Sequence, residues 1–574
     1  MAKKDKNEMM EKMIIDDFSK KMSKYKLVLY PIFKMLIFLV IGVSIFDILQ
    51  TILVPKRCSY LNTYDSGKLS GFYNEEKNEI DILIEGTSHS AGGILPMELY
   101  EKYGIKSYNL ATGIQSIEVS YYMACEALRT QKPKVLILDV GNLYISDATE
   151  FYWRMVLDEM HFGRNKFKFA NEYCKQHLDM DKLEWEIMFP LFYYHENWKI
   201  LSQRNFRNNT NTKRNYDKGG IITSTIAPAG LSVEYMNEVA ENLLKDNERF
   251  LFMYEGEEYT ETYNENKLYS VDIPDKNIEY FKKLQELCDA NGVKLLAVKV
   301  PSLNLPQSYR SAWTREKYNK VNKICEEMGI EYYDIMYEAC LEIDWGEDTW
   351  DGGPHLNLNG ARKISADLGN YLTVNYDLPN EPNEMWDKDL ELYQEVRNVA
   401  LLELEKDFIT YINLLINECN DKIIFIAASD DMSNGLNEID INILRLLGLR
   451  VDFSQALNNS YIAVIDNGEV RYEALSNRSL NYEGFYGLSN KKYEIYSSGW
   501  YTNSQASIKL DGIEYVVNSR GLNIVVYDVQ RDLVVDSVCF DTHTEYHTSV
   551  RNNSIVNGLR QKFEQYIVEV EDQL

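Results

Sequence analysis

Between Asp81 and Leu372, short apolar runs alternate with longer stretches of helical period: DILIEG (81–86), IKSYNLA (105–111), VLILDV (135–140), VKLLAVKVPS (293–302) and IEYYDI (330–335). Continuous apolar runs of strand length between amphipathic stretches predict an α/β fold, a three-layer α/β/α parallel sheet with helices on both faces. In such sheets ligands bind at the carboxyl ends of the strands, so chemistry is expected just after each run. The stretch from Tyr144 to about Glu279 exceeds a simple crossover and is rich in aromatics (FYWRM, LEWEIMFPLFYYHENW), which predicts a long insertion, a cap or a substrate-facing element. After Leu372 come a polar segment with two prolines (375–389) and a helical pattern through Leu401 to Cys419. From Lys422 onward short β-runs separated by Gly, Asn and Asp turns predict a second, mainly β domain, closed by a last helix from Ile555 to Val570.

The amino-terminal pattern differs. Met35 to Val54 is a 20-residue apolar stretch whose only charge is Asp47, and at 1.5 Å per residue it reaches roughly 30 Å, the thickness of a bilayer's hydrocarbon core. Residues 1–26 carry eight lysines against five acids, which favours a cytoplasmic amino terminus and places the later domains outside the cell. The pattern predicts a single-pass signal anchor over 27–55, with Asp47 pairing with a partner helix or snorkelling to the surface.

Composition narrows the partners. With 61 Lys and Arg against 88 Asp and Glu, the net charge of −27 would repel a nucleic-acid backbone, so no nucleic acid is expected. Eight cysteines stand without a C-x-x-C pair and no ligand cluster stands out, so neither a metal nor another cofactor is expected.

Candidate chemistry lies at two run ends. The first run enters Gly86-Thr87-Ser88-His89-Ser90, where a serine at a strand-to-helix turn gains an exposed Oγ beside helix amides suited to an oxyanion. Far downstream stands Asp351-Gly-Gly-Pro-His355-Leu-Asn-Leu-Asn-Gly360, directly before a helix. An acid and a histidine four positions apart on one tight loop can meet, the carboxylate fixing the imidazole tautomer while the other ring nitrogen faces the serine.

GTSHS, YNLATGIQS after the second run, and DGGPHLNLNGARK together resemble the SGNH (GDSL-like) hydrolase superfamily over about Glu79 to Tyr371. The nearest resemblance is to its membrane-anchored branch, which includes alginate-type polysaccharide O-acetyltransferases and the D-alanine transfer protein of teichoic acid modification. The resemblance implies Ser88 as nucleophile, His355 as general base and Asp351 as its orienting acid, with the Ser88 amide, Gly113 and Asn142 forming the oxyanion hole. His89, beside the serine, and His195, in a Pro-aromatic-His-Trp element of this branch, are implied at the substrate edge or in structural roles. Three departures stand out: GTS replaces GDS, three residues instead of two separate Asp351 from His355, which makes Asp348 a rival acid, and the third block reads Val140-Gly141-Asn142-Leu143.

Segments over about Asp421 to Thr544, above all Arg520-Gly521-Leu-Asn523 through Asp541, resemble the ILEI/PANDER-type domain, whose relatives are lectin-like. Trp500 and Tyr501 are either core residues or a platform for a sugar ring. The expected organisation is a cytoplasmic tail (1–26), an anchor (27–55), an SGNH-like domain (56–375), a helical connector (376–415) and an ILEI/PANDER-like carbohydrate-binding module (416–574). The expected activity is transfer or removal of an O-acetyl or other short acyl group on a cell-envelope polysaccharide through an acyl-serine. The resemblance also implies an acyl donor delivered by a membrane-bound O-acyltransferase. The alternative is a degenerate scaffold that binds surface glycan.

Overall fold

The structure, a computed structural model, describes residues 30–54, 67–145, 150–177, 185–201, 206, 215–224, 249–254, 257–262, 273–302, 311–338, 341–351, 353–487, 491–530 and 532–551. The expected tail (1–26) and closing helix (555–570) lie outside the described residues.

Five strands form a parallel sheet: β1 (Ile82–Glu85), β2 (Ser107–Asn109), β3 (Val135–Asp139), β6 (Lys294–Lys299) and β7 (Glu331–Asp334), in the order β2-β1-β3-β6-β7. Between β3 and β6 a separate antiparallel pair, β4 (Arg249–Tyr254) and β5 (Glu257–Thr262), is inserted. In register, Ile82 stands opposite both Ser107 and Val135, and Val135 opposite Lys294. Alternate residues of neighbouring strands share a face. Ile82, Ile84, Val135, Ile137, Leu296 and Val298 build one core with Leu99 and with Ile364, Leu368 and Leu372 of the Leu358–Asn375 helix. Leu83, Leu136, Leu138 and Ala297 alternate with them and are fully buried as well. Both faces are thus covered, and a near-continuous apolar run is what such a strand requires.

The chain steps from β1 to β2 on one side and then crosses to β3 on the other. This reversal makes the β1/β3 ends the topological switch point, the place at the carboxyl edge where open α/β sheets bind ligands.

The carboxyl-terminal region forms a ten-stranded mixed sheet built on the buried strand β8 (Ile423–Asp430). β8 lies between β9 (Ser460–Asp466) and β15 (Gly521–Asp528), antiparallel to both, and touches the end of β12 (Lys491–Gly499) in parallel. β10 (Glu469–Ser476) pairs with β9, β11 (Leu480–Tyr486) with β12, and β13 (Gln505–Leu510) with β12 and β14 (Ile513–Glu514). β16 (Leu533–Phe540) and β17 (Ser549–Arg551) complete the other side. Phe425, Ile462, Ile495, Ile508 and Val525 form its core.

The chain divides into two compact units. One holds residues 1–56 with 162–209; the other holds 57–161 with 210–574 and so contains both sheets. In the first, a 24-residue helix, Tyr30–Leu53, is long and apolar enough to cross a membrane. In the second, the stretch expected as a connector is two packed helices, Glu384–Leu404 and Phe408–Glu418. Arg397 bonds Glu98 at 3.2 Å and also Glu101, while Tyr411 donates to Asp536 of β16 at 2.7 Å. The parallel sheet and the β sheet therefore share one compact unit.

Candidate active site

β1 ends at Glu85, and Gly86 turns the chain at φ +146°, a conformation L side chains rarely adopt. A Cβ at Gly86 would lie 2.6 Å from the Asp139 Cβ and from Ser90 Oγ, so no side chain fits. Thr87 caps the Ser88–Gly93 helix, its Oγ1 accepting from the His89 amide at 3.3 Å. The same hydroxyl donates to the buried carboxylate of Asp139, at the end of β3, at 2.8 Å. Ser88 is left half-buried at the carboxyl edge of the sheet.

The second half of the site is a loop closed on itself. Thr349 and Leu356 form an antiparallel bridge, the Trp350 amide donates to the His355 carbonyl at 3.2 Å, and the Asn357 amide donates to the Asp348 carbonyl at 2.9 Å. Asn357 also caps the following helix through Oδ1 and donates through Nδ2 to the Glu347 carbonyl at 2.6 Å. With both ends tied, the loop projects Asp351 and His355 together.

Ser88 Oγ lies 2.8 Å from His355 Nε2, and His355 Nδ1 lies 2.5 Å from Asp351 Oδ2. Asp351 Oδ1 accepts the His355 backbone amide at 2.9 Å, so both carboxylate oxygens serve one residue. This double grip closes the four-position step from acid to histidine. A carboxylate on Nδ1 leaves that nitrogen protonated and Nε2 free to accept the serine proton. Side chains of His355 and Asp351 are about one-fifth exposed, at 22% and 21%, so the chain of hydrogen bonds faces solvent at one end.

Asp348, the rival acid, is turned away from this role. Its buried carboxylate accepts from Lys363 Nζ at 2.6 Å and from the Asp344 amide at 2.8 Å, which makes it an internal brace of the loop. Burial nevertheless pushes its pKa up.

His89 stands beside the pair, its ring 5.2 Å from that of His355. Gly113 is buried in the turn after β2, at the same sheet edge. Asn142 is fully buried after β3 and donates to Ser120 Oγ at 3.2 Å, while its Oδ1 has no hydrogen-bond partner among the described residues. Gln115 joins these pieces. Its Nε2 donates to Ser120 Oγ at 2.8 Å and to Glu85 at 2.7 Å, and its Oε1 accepts from the amide and hydroxyl of Thr112 at 2.9 and 2.8 Å. The turn bearing Gly113 and the side chain of Asn142 are thus braced by one glutamine. Burial drives the pKa of Glu85 well above its ordinary value, against the lowering effect of its hydrogen bond from Gln115.

His195 belongs to the first compact unit, in the 3-10 helix His195–Ile200, where its Nδ1 lies 2.6 Å from the Phe192 carbonyl. Two residues without a role expected from sequence complete the loop: Trp350, whose ring stacks on His355 at 5.4 Å and 23°, and Asn357. Trp350 directly precedes Asp351, and an aromatic beside a candidate acid is the available signal. In the β region, Trp500 and Tyr501 are 63% and 70% exposed, which removes the core reading for these rings. Among the described residues, no group of three or more His, Cys, Asp or Glu is placed to hold a metal ion.

No family model matches the chain, and no curated protein matches it. Among solved structures, one similar chain is the "putative acylhydrolase" of Bacteroides fragilis NCTC 9343, at 11% identity and a TM-score of 0.24, over 53% of this chain and 94% of that one. Similarity at that level carries no weight for the activity of this chain, which is argued from its own site geometry.

Proposed function

We propose that the protein is a membrane-anchored serine acyltransferase or esterase of SGNH type, acting through an acyl-Ser88 intermediate. The observation that carries this reading is the continuous hydrogen-bonded chain from Ser88 Oγ through His355 to Asp351. His355 Nε2 takes the hydroxyl proton as Oγ bonds to the acyl carbonyl carbon. The carbonyl π bond opens to an oxyanion, which re-forms the carbonyl as the acyl–oxygen bond to the donor breaks. The imidazolium gives its proton to the departing oxygen. An acceptor hydroxyl, or water, then repeats these steps in reverse and frees Ser88. Asp351 holds the tautomer and stabilises the imidazolium. The Ser88 and Gly113 amides and the Asn142 side chain are proposed to receive the oxyanion, Asn142 after release from Ser120.

In this reading the acyl group is an acetyl or another short acyl unit, and the acceptor or substrate is a cell-envelope polysaccharide outside the membrane. A membrane-bound O-acyltransferase would supply the donor. The domains are a cytoplasmic tail (1–26), anchor (27–55), SGNH-like domain (56–375), helical connector (376–415) and ILEI/PANDER-like glycan module (416–574). His89 borders the acyl site. The exposed pair Trp500 and Tyr501 favours a sugar-stacking role for the module.

The test is labelling of the detergent-purified full chain with a fluorophosphonate probe, alongside hydrolysis of p-nitrophenyl acetate. Wild type is expected to be labelled at Ser88 and to turn over; Ser88→Ala is expected to do neither. Equal inertness of the two proteins would sink both transfer and hydrolysis. Glycan binding that then persisted in both would leave the scaffold reading, which the anchoring of Asn142 to Ser120 favours.

A further inference from the structure

The Tyr30–Leu53 helix does not stand bare along its whole length. Within its compact unit, Phe46 meets Phe189 and Phe192 edge-on at ring distances of 5.9 and 6.0 Å. Asn197 Nδ2 donates to the Leu53 carbonyl at 2.9 Å, one of the last-turn carbonyls that a helix cannot satisfy internally. Phe46 precedes Leu53 by seven residues, roughly 10 Å of helix axis at 1.5 Å per residue. The stretch 185–201 is therefore pinned along the last ~10 Å of the apolar helix. If the helix crosses a bilayer, this stretch shares its depth, which is the boundary between headgroups and acyl chains.

The side chains suit that depth. Tyr193, Trp198 and Ile200 are exposed, Trp198 at 63% and Ile200 at 75%. Tyrosine and tryptophan favour the membrane interface because each joins an apolar ring to a polar tip. Glu196 and Lys199 neutralise each other at 2.7 Å. The backbone runs through helices at Trp185–Met188, Pro190–Tyr194 and His195–Ile200, and His195 Nδ1 meets the Phe192 carbonyl at their junction. Helical backbone is the form a low-dielectric layer tolerates. A cavity of about 860 Å³ lined by Phe46, Glu186, Phe189, Phe192 and His195 lies where the stretch meets the helix.

We infer that residues 185–201 form an interfacial element, lying in the leaflet at the carboxyl end of the Tyr30–Leu53 helix, whose aromatic-lined cavity takes an acyl chain of a bilayer lipid. The inference rests on the membrane-anchor part of the proposed function and is independent of the chemistry at Ser88. Lipid is favoured over a protein partner because the exposed rings continue the apolar surface of the helix itself. On this account His195 is a brace of the element.

The experiment reconstitutes the full chain alone in phosphatidylcholine vesicles containing phosphatidylcholine with a diazirine in its acyl chain, and maps lipid-modified peptides after irradiation. Modified peptides from both 30–53 and 185–201 are expected. Modification confined to 30–53 would keep the anchor and overturn the element, leaving a membrane protein as the occupant of the cavity. No modification in either stretch would overturn the anchor and the inference with it. In vesicles of brominated phosphatidylcholine, Trp198→Phe is expected to lower the quenched share of tryptophan emission relative to wild type. An unchanged share would place Trp198 outside the leaflet and overturn the inference.

Discussion

Thr87, where the GTS motif departs from the GDS pattern it resembles, has surroundings that suit a hydroxyl. Its hydroxyl donates at 2.8 Å to the carboxylate of Asp139, which is fully buried. A second carboxylate there would face the first, and one of the two would have to hold a proton. Thr87→Asp is therefore expected to lower stability by about 1–3 kcal/mol, the cost of a buried group left without its partner. An unchanged thermal midpoint would contradict this account. Asp351→Asn keeps the shape of the loop but loses the carboxylate that selects the His355 tautomer. Turnover of p-nitrophenyl acetate should fall on the order of 10³–10⁴-fold while the circular dichroism spectrum is retained. The pairing of Asp351 with His355 was legible because both lie on one short loop. The stacking of Trp350 on His355 was not, since it follows from the path of the closed loop.

At the scale of elements, the strand ends decide the chemistry. The turn from β1 into the Ser88 helix requires Gly86, whose φ of +146° and absent side chain let β3 approach. Gly86→Ala should cost about 1–3 kcal/mol in backbone strain. It should also slow fluorophosphonate labelling of Ser88 more than it lowers the amount of folded protein. Labelling at the wild-type rate would show that the turn can open without moving Oγ. The five runs of the parallel sheet were legible from continuous apolar residues, with ends within three residues of those seen. The braces were not. Gln115 reaches Glu85, Thr112 and Ser120 only once β1, β2 and the Ile117–Ala127 helix have met. Asp348 and Asp351 were equally plausible acids in the sequence, and Lys363, fifteen positions downstream of Asp348, separates their roles by claiming one of them.

For the molecule as a whole, one short segment ties distant parts together. Residues 215–224 lie within the long insertion, and the Asn109 amide donates to the Lys218 carbonyl at 2.8 Å while the Leu358 amide donates to that of Thr223 at 2.9 Å. The fully buried Lys218 ammonium bonds Glu75 at 3.1 Å and also Asp389, on the long helix that carries Arg397. Beside it, burial pushes the Asp217 carboxyl up to about 6 from an ordinary 3.8. The folded protein then holds this proton more tightly than the unfolded chain, so the stabilisation it brings is present in acid and is lost as pH rises from about 4 to 6. Asp217→Asn keeps an acceptor for the Gly219 amide, which now donates at 2.9 Å. The variant should exceed wild type by about 1–2 kcal/mol at pH 7 and converge on it near pH 4. Urea midpoints measured across that range check the sign, and a gap that widens in acid would refute it.

What the sequence by itself determined was local: the periods that make strands and helices, an apolar stretch of membrane length, and the acid–histidine spacing on one loop. These are readable because near neighbours in the chain remain near neighbours in space. Tertiary structure alone decided which acid meets His355 and where Asn142 spends its amide. It also decided that the expected connector packs with both sheets and that part of the insertion joins the amino-terminal helix. Each of those outcomes depends on how the chain closes on itself, most plainly where Ser88 meets His355 across a separation of 267. Such contacts are selected by burial and hydrogen-bond satisfaction across the assembled core, which no local pattern encodes.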